Sequence, residues 1–179
     1  MVGLIRRSFS YLSPYVFKKL YLALVRPHLE YAQVVWSPQS KKMISMIENV
    51  QIRATKLVDG LGSLEYHERL QELKLPTLQH RRLRGAMIEF YKHFNTYAKH
   101  TLPRAFQPRQ RSTRSHCHQI LERRARDGIT GVQSRFFYFR HARDWNTLPH
   151  AVVTATSLNC FKNRLDKHWE NVALTMSNS

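Results

Sequence analysis

The four aspartates of this chain, Asp59, Asp127, Asp144 and Asp166, stand apart, none beside another acid. Two-metal phosphoryl transfer needs several carboxylates converging on divalent cations about 4 Å apart, and no such cluster is written here. His116, Cys117 and His118, with the distant Cys160, are the metal-binding residue types. Their spacing fits no zinc finger or knuckle: adjacent His-Cys-His ligands share one tetrahedral ion poorly, and no C-x-x-C pair completes a site. Phosphate-binding G-x-x-x-x-G-K-(S/T), G-x-G-x-x-G, H-E-x-x-H and G-x-S-x-G are all missing. No cofactor and no catalytic residue is expected of this chain, nor enzymatic activity by itself.

Charge is the chemistry that remains. Lys plus Arg number 29 against 12 Asp plus Glu, a net +17 over 179 residues. A surplus of that size seeks anions, and nucleic acid is the usual one, because each phosphate neutralised releases condensed counterions. A solvated basic surface is the bland alternative. A membrane is not indicated, since no apolar run of about 18 residues occurs and MVGLIRRSF lacks a signal-peptide core. Two cysteines make no disulfide framework and suit a reducing compartment.

The elements that must position this charge read as helices. With 42% apolar residues and only 6 Gly and 7 Pro, a chain of this length buries about 70% of its unfolded surface. Ser13-Pro14 is a helix start, followed by an apolar face of Val16, Phe17, Leu20, Tyr21, Leu24 and Val25 that Pro27 ends or kinks. Leu29, Tyr31, Val34, Val35 and Trp36 form a second apolar piece, its aromatics reading as buried and Ser37-Pro38 closing it. From Ser40 a cleaner helix places Met43, Ile47, Val50, Ala54, Leu57 and Val58 on one stripe, with Lys42, Ser45, Asn49, Arg53 and Lys56 elsewhere. Asp59-Gly60 stops it, Ser63 is the expected cap of the next helix, and Pro76 ends that one.

Thr77 opens a helix whose first half carries Arg81, Arg82 and Arg84, where cations oppose the macrodipole. Either phosphate or an acidic neighbour must offset them, or they form a solvated basic face. Residues 96–135 read as a basic linker, either a mobile arm ordering on nucleic acid or an unstructured tether. Phe136, Phe139, Ala142 and Trp145 then line a helix up to Pro149, with FFYF as a strand in the alternative. Ser157 caps a last helix bearing Leu158, Phe161, Leu165 and Trp169. Trp36, Trp145 and Trp169 suit a core better than a base-stacking platform.

Five blocks in order, LYLALVRPHLEYAQVVWSP, IENVQIRATKLV, YHERLQELKLPTLQHRRLRGAMIEFYK, TRSH and FFYFRHARDWNTLPHAVVTATSLNCFKNRL, span most of residues 3–169. They resemble the thumb and post-thumb region of reverse transcriptases of non-LTR retrotransposons, of the Jockey-like, LINE type. The resemblance implies a helical thumb gripping a template–primer duplex, in a parent polymerase that needs Mg. It also implies an intracellular setting, cytoplasm or nucleus, for the parent element. The chain departs from the family in having no Asp-Asp dipeptide, so the carboxylates of the (F/Y)-x-D-D turn are absent. Because GLIRRSF continues the pattern of a preceding block, a truncated copy or partial gene model is expected.

The expectations are therefore specific. The fold is mainly α, a small thumb-like helical bundle over 1–95, a basic linker over 96–135 and a C-terminal helical segment over 136–179. The function is sequence-independent binding of RNA, DNA or an RNA–DNA hybrid. Phosphate contacts are assigned to Lys41, Lys42, Arg53, Lys56, Arg81, Arg82 and Arg84, with Arg109, Arg111 and Arg114 on a mobile arm. The alternative is a packing module that docks on the palm and fingers of such a polymerase and has no activity of its own.

Overall fold

The computed structural model describes residues 1–97, 119–120 and 136–177. It is mainly α, with no strand among the described residues. The chain divides into two compact units, Met1–Arg84 and Gly85–Ser179. The division falls inside the helix Leu78–Lys92.

In the first unit, α1 (Val2–Ser8) leads by a short corner to α2 (Pro14–Leu20), capped by Ser13 Oγ accepting from Val16 N–H at 3.4 Å. Pro27 neither ends nor sharply breaks the helical run beyond α2. A π-helical turn, Tyr21–Val25, precedes α3 (Arg26–Glu30), so Pro27 falls in the first turn of α3. There its missing N–H is not needed. The widened turn sends the Arg26 N–H to the Tyr21 carbonyl, five residues back, which reroutes the hydrogen bonds that proline would otherwise break.

Ala32, at φ 49°, turns the chain into the four-residue α4 (Gln33–Trp36). Here the sequence pattern misleads. Tyr31 and Val35 are each 81% exposed, and Trp36 is exposed as well; a helix of four residues has too little length to turn an apolar stripe inward.

Ser40 caps α5 (Lys41–Thr55), accepting from Met43 N–H at 3.3 Å. The next cap is displaced from Ser63 to Glu65, which forms a capping box with Glu68 at the start of α6 (Tyr66–Leu73); the Glu65 N–H reaches Glu68 Oε2 at 2.8 Å. Phe17, Tyr21, Val25, Val58, Leu70 and Leu73 are among the residues that close the core of this unit. Asp59 and Leu12 fasten the α1–α2 corner to the end of α5: the Leu12 N–H donates to the Asp59 carboxylate, and the Asp59 N–H to the Leu12 carbonyl at 3.1 Å.

Thr77 caps α7 (Leu78–Lys92), accepting from His80 N–H at 3.1 Å. Within the second unit its C-terminal half and the π-helical His93–Tyr97 face α8 (Phe137–Asn146), α9 (His150–Val153) and α10 (Leu158–Ser177). Of FFYF, Phe137, Tyr138 and Phe139 are helical and Phe136 is the extended N-cap. Phe137, with Trp145 one face further on, packs on Phe90 at ring separations of 5.0 and 5.4 Å. Tyr91 stacks on Phe161 at 4.4 Å and donates its hydroxyl to the Ala155 carbonyl at 2.7 Å. Asn146 holds Ile120 by both backbone groups, each at 2.9 Å. Trp145 is fully buried and acts as core, which is where an aromatic on a helical stripe belongs.

Candidate nucleic-acid interface

Helix α5 carries two polar faces with opposite fates. Outward, Lys42, Ser45, Asn49, Arg53 and Lys56 are all exposed, and Lys41 lies beside them. Fourteen residues separate Lys42 from Lys56, a cationic edge of about 21 Å at 1.5 Å per residue. Inward, Glu48, Gln51 and Thr55 recur once per turn and form a polar seam through the first unit. Met43, expected in the core, is instead exposed, and Gln51 and Thr55 are buried.

The seam is bonded in two stretches, one around Gln51 and Glu48 and one around Thr55. The Tyr21 hydroxyl donates to Gln51 Oε1 at 2.5 Å, and the Gln51 amide donates to the Tyr66 hydroxyl and the Pro76 carbonyl, both at 3.0 Å. Tyr66 donates in turn to Glu48 Oε1 at 2.5 Å. Glu48 also accepts the Leu78 and Gln79 N–H groups at 3.1 and 3.3 Å, satisfying two of the orphan donors at the start of α7. Below it, Arg69 is buried, donating through Nε to Thr55 Oγ1 at 3.1 Å and through Nη1 to the Leu64 carbonyl. Burial is the main cause that pushes the Tyr21 and Tyr66 hydroxyls well above the usual phenol range. The Glu48 carboxylate adds to it, hydrogen-bonded to Tyr66 and by charge at Tyr21.

This arrangement accounts for the arginines at the start of α7. Arg81 grips Glu30 with both faces of its fork, Nη2 to Oε2 at 3.0 Å and Nε to Oε1, and Arg26 stands 3.7 Å from the same carboxylate. Arg82 is 6% exposed, and neither terminal nitrogen meets a hydrogen-bond acceptor. Burial lowers its guanidinium below the ordinary value, with the charge of Glu48 pulling the other way. Arg84 is half-buried and engaged within the chain. The offset to Arg81 is thus the Glu30 carboxylate, and Arg82 feels the charge of Glu48.

Of the expected phosphate contacts, the structure brings Lys41, Lys42, Arg53 and Lys56 together on the outside of one helix. It pairs the half-buried Arg81 with Glu30 and buries Arg82. Arg109, Arg111 and Arg114, like His116, Cys117 and His118, lie outside the described residues. Arg6, Arg7 and Lys19 are further exposed cations that no motif marks; the signal for them was the absence of any Asp or Glu before Glu30.

An open pocket of about 520 Å³ lies between α5 and the start of α7, lined by Lys41, Ser45, Glu48, Asn49, Tyr66 and Gln79 among others. Glu48, already taking three hydrogen bonds, and Lys41 are the charged residues of its lining. Among the described residues no group of three His, Cys, Asp or Glu is placed to hold a metal, and no helix is long and apolar enough to cross a membrane. Compared with protein-family models, with curated proteins and with solved structures, the chain matches none.

Proposed function

We propose that the chain binds nucleic acid without regard to sequence, as the thumb-like region of a non-LTR retrotransposon reverse transcriptase, and that it does so through phosphate contacts on α5. One observation carries the reading. The first unit holds fourteen Lys and Arg against six Asp and Glu, and five of those six acids are spent on internal hydrogen bonds: Glu30, Glu48, Asp59, Glu65 and Glu68. Glu30 is neutralised by Arg81 and Arg26, and among the described residues no acid forms an ion pair with Lys41, Lys42, Arg53 or Lys56, so these four present a positive edge to solvent.

Such an edge positions a backbone and reads no base. The polymerase carboxylates are not among the residues of this chain, so binding, and not synthesis, is the activity proposed. Fluorescence anisotropy with a DNA duplex or an RNA–DNA hybrid tests it. Four phosphate contacts give a log–log salt slope of about −3.6, or about a hundredfold loss of affinity between 50 and 200 mM salt. Undetectable or salt-independent binding sinks the proposal.

A second reading is favoured by Tyr31, Val35 and Trp36, which stand exposed together around α4. Under it, this apolar corner docks on the palm or fingers of a parent polymerase, and the isolated chain self-associates. A cooperative calorimetric transition of a monomer argues against it.

A further inference from the structure

We propose that the corner joining α1 to α2 is a stacking platform for unpaired bases, so that the chain holds single-stranded nucleic acid at a site distinct from the α5 edge. The inference rests on the nucleic-acid reading above and specifies a strand form and a place that the charge alone does not.

The corner alternates in its burial. Leu12 and Phe17 turn into the core, whereas Tyr11 and Tyr15 are 70% and 68% exposed and Phe9 is exposed as well. Three aromatic rings standing in water within seven residues are not needed by the core beneath them. Cations flank them along the chain: Arg6 and Arg7 end α1 and Lys18 and Lys19 end α2. The Lys19 ammonium lies 4.4 Å from the centroid of the Tyr15 ring, so an aromatic surface and a phosphate-seeking charge are already side by side. A nucleotide offers the matching pair, a π-face and an adjacent phosphate.

No acid opposes them from the first 29 residues. Asp59, which the fold brings to this corner, has its carboxylate taken by the Leu12 N–H. The same Asp59–Leu12 exchange pins the loop to α5, so the rings are presented from a fixed backbone and little ordering remains to be done on binding. A paired base has both faces covered by its neighbours in the duplex; an exposed tyrosine can stack only on a base that has left the helix.

The test compares a labelled oligothymidylate with a labelled blunt-ended two-strand duplex, bound to the full chain, to the double variant Tyr11→Ser/Tyr15→Ser and to Tyr11→Phe/Tyr15→Phe. Removing the rings is expected to weaken single-strand binding about tenfold per ring lost. Duplex affinity changes less than about twofold, the salt slope stays the same, and the phenylalanine pair keeps single-strand binding. Equal losses on both ligands, or no loss on either, overturn the platform. So does a serine variant that changes the sedimentation of the protein but not its single-strand affinity, which assigns the rings to a protein contact. Duplex binding with no single-strand binding by the unsubstituted chain overturns this inference alone; binding of neither overturns the proposed function with it.

Discussion

The Glu48 carboxylate accepts the Tyr66 hydroxyl at 2.5 Å while it holds the first N–H groups of α7. One side chain therefore ties α5, α6 and α7 within the first unit, and its charge answers both the helix dipole and Arg82 further along α7.

Replacing Glu48 with Ala strips three donors of their acceptor at once. The expected cost is about 2–3 kcal/mol, with Glu48→Gln in between, read as a lowered denaturation midpoint. A Glu48→Ala variant as stable as the parent would mean that this tie contributes nothing to the fold.

Arg82 predicts the opposite sign. A buried guanidinium whose terminal nitrogens lack acceptors opposes folding, so Arg82→Met, of similar length and apolar, is expected to be neutral or to stabilise by about 1 kcal/mol. Its affinity for duplex should match that of the parent, whereas Lys42→Glu/Arg53→Glu should lose duplex binding and lower the salt slope by about 2. Loss of binding in the Arg82 variant returns that residue to the interface.

Arg69 is also buried, yet it is bonded to Thr55 and to the Leu64 carbonyl. Arg69→Ala leaves both acceptors bare and a void behind, and about 3 kcal/mol of stability should go with it. Chemical denaturation of the pair Arg69→Ala and Arg82→Met, two arginines of similar burial, measures whether hydrogen-bond satisfaction decides the difference.

Alkaline pH probes the tyrosine seam. Tyr21 and Tyr66 have folded-state pKa values raised above the ordinary phenol value near 10, and Tyr138 in the second unit is pushed up to about 12. The unfolded chain releases these protons first, so the stability they contribute is fully present below about pH 10 and is lost as pH rises above it. Denaturant midpoints should be flat to about pH 9 and then fall, and Tyr21→Phe should shallow that fall. An unchanged midpoint at pH 11 refutes the raised values.

Trp145 anchors the second unit, stacked on Phe90 and Phe94 at 5.4 Å each. Trp145→Ala should cost about 3–5 kcal/mol. Loss of the near-ultraviolet dichroism at temperatures where the parent keeps it would register the loss of that packing.

How far the sequence reaches depends on the range of the forces involved. Helix starts at Ser13, Ser40, Thr77 and Ser157 were legible because a cap is made by residues three apart. The outward face of α5 was legible because lysine and arginine at helical spacing seek water. Local signals also failed where two competed: Ser63 and Glu65 both offered a cap, and the reciprocal box with Glu68 prevailed. Pro27 signalled a break, yet a π-turn absorbed it.

By itself, then, the sequence determined a helical, strongly basic chain and the face of α5 that meets solvent, since periodicity and charge are properties of neighbours along the chain. Only the tertiary structure decided that Glu48, Gln51 and Thr55 run inward, that Arg81 pairs with Glu30 and Arg82 is buried, and that Tyr11 and Tyr15 stand in water. Those outcomes depend on partners 14 to 51 residues distant or on which side of a loop the core happens to lie; Gln51, Thr55 and Arg69 turn inward where such a partner satisfies them, and Arg82 is the buried exception.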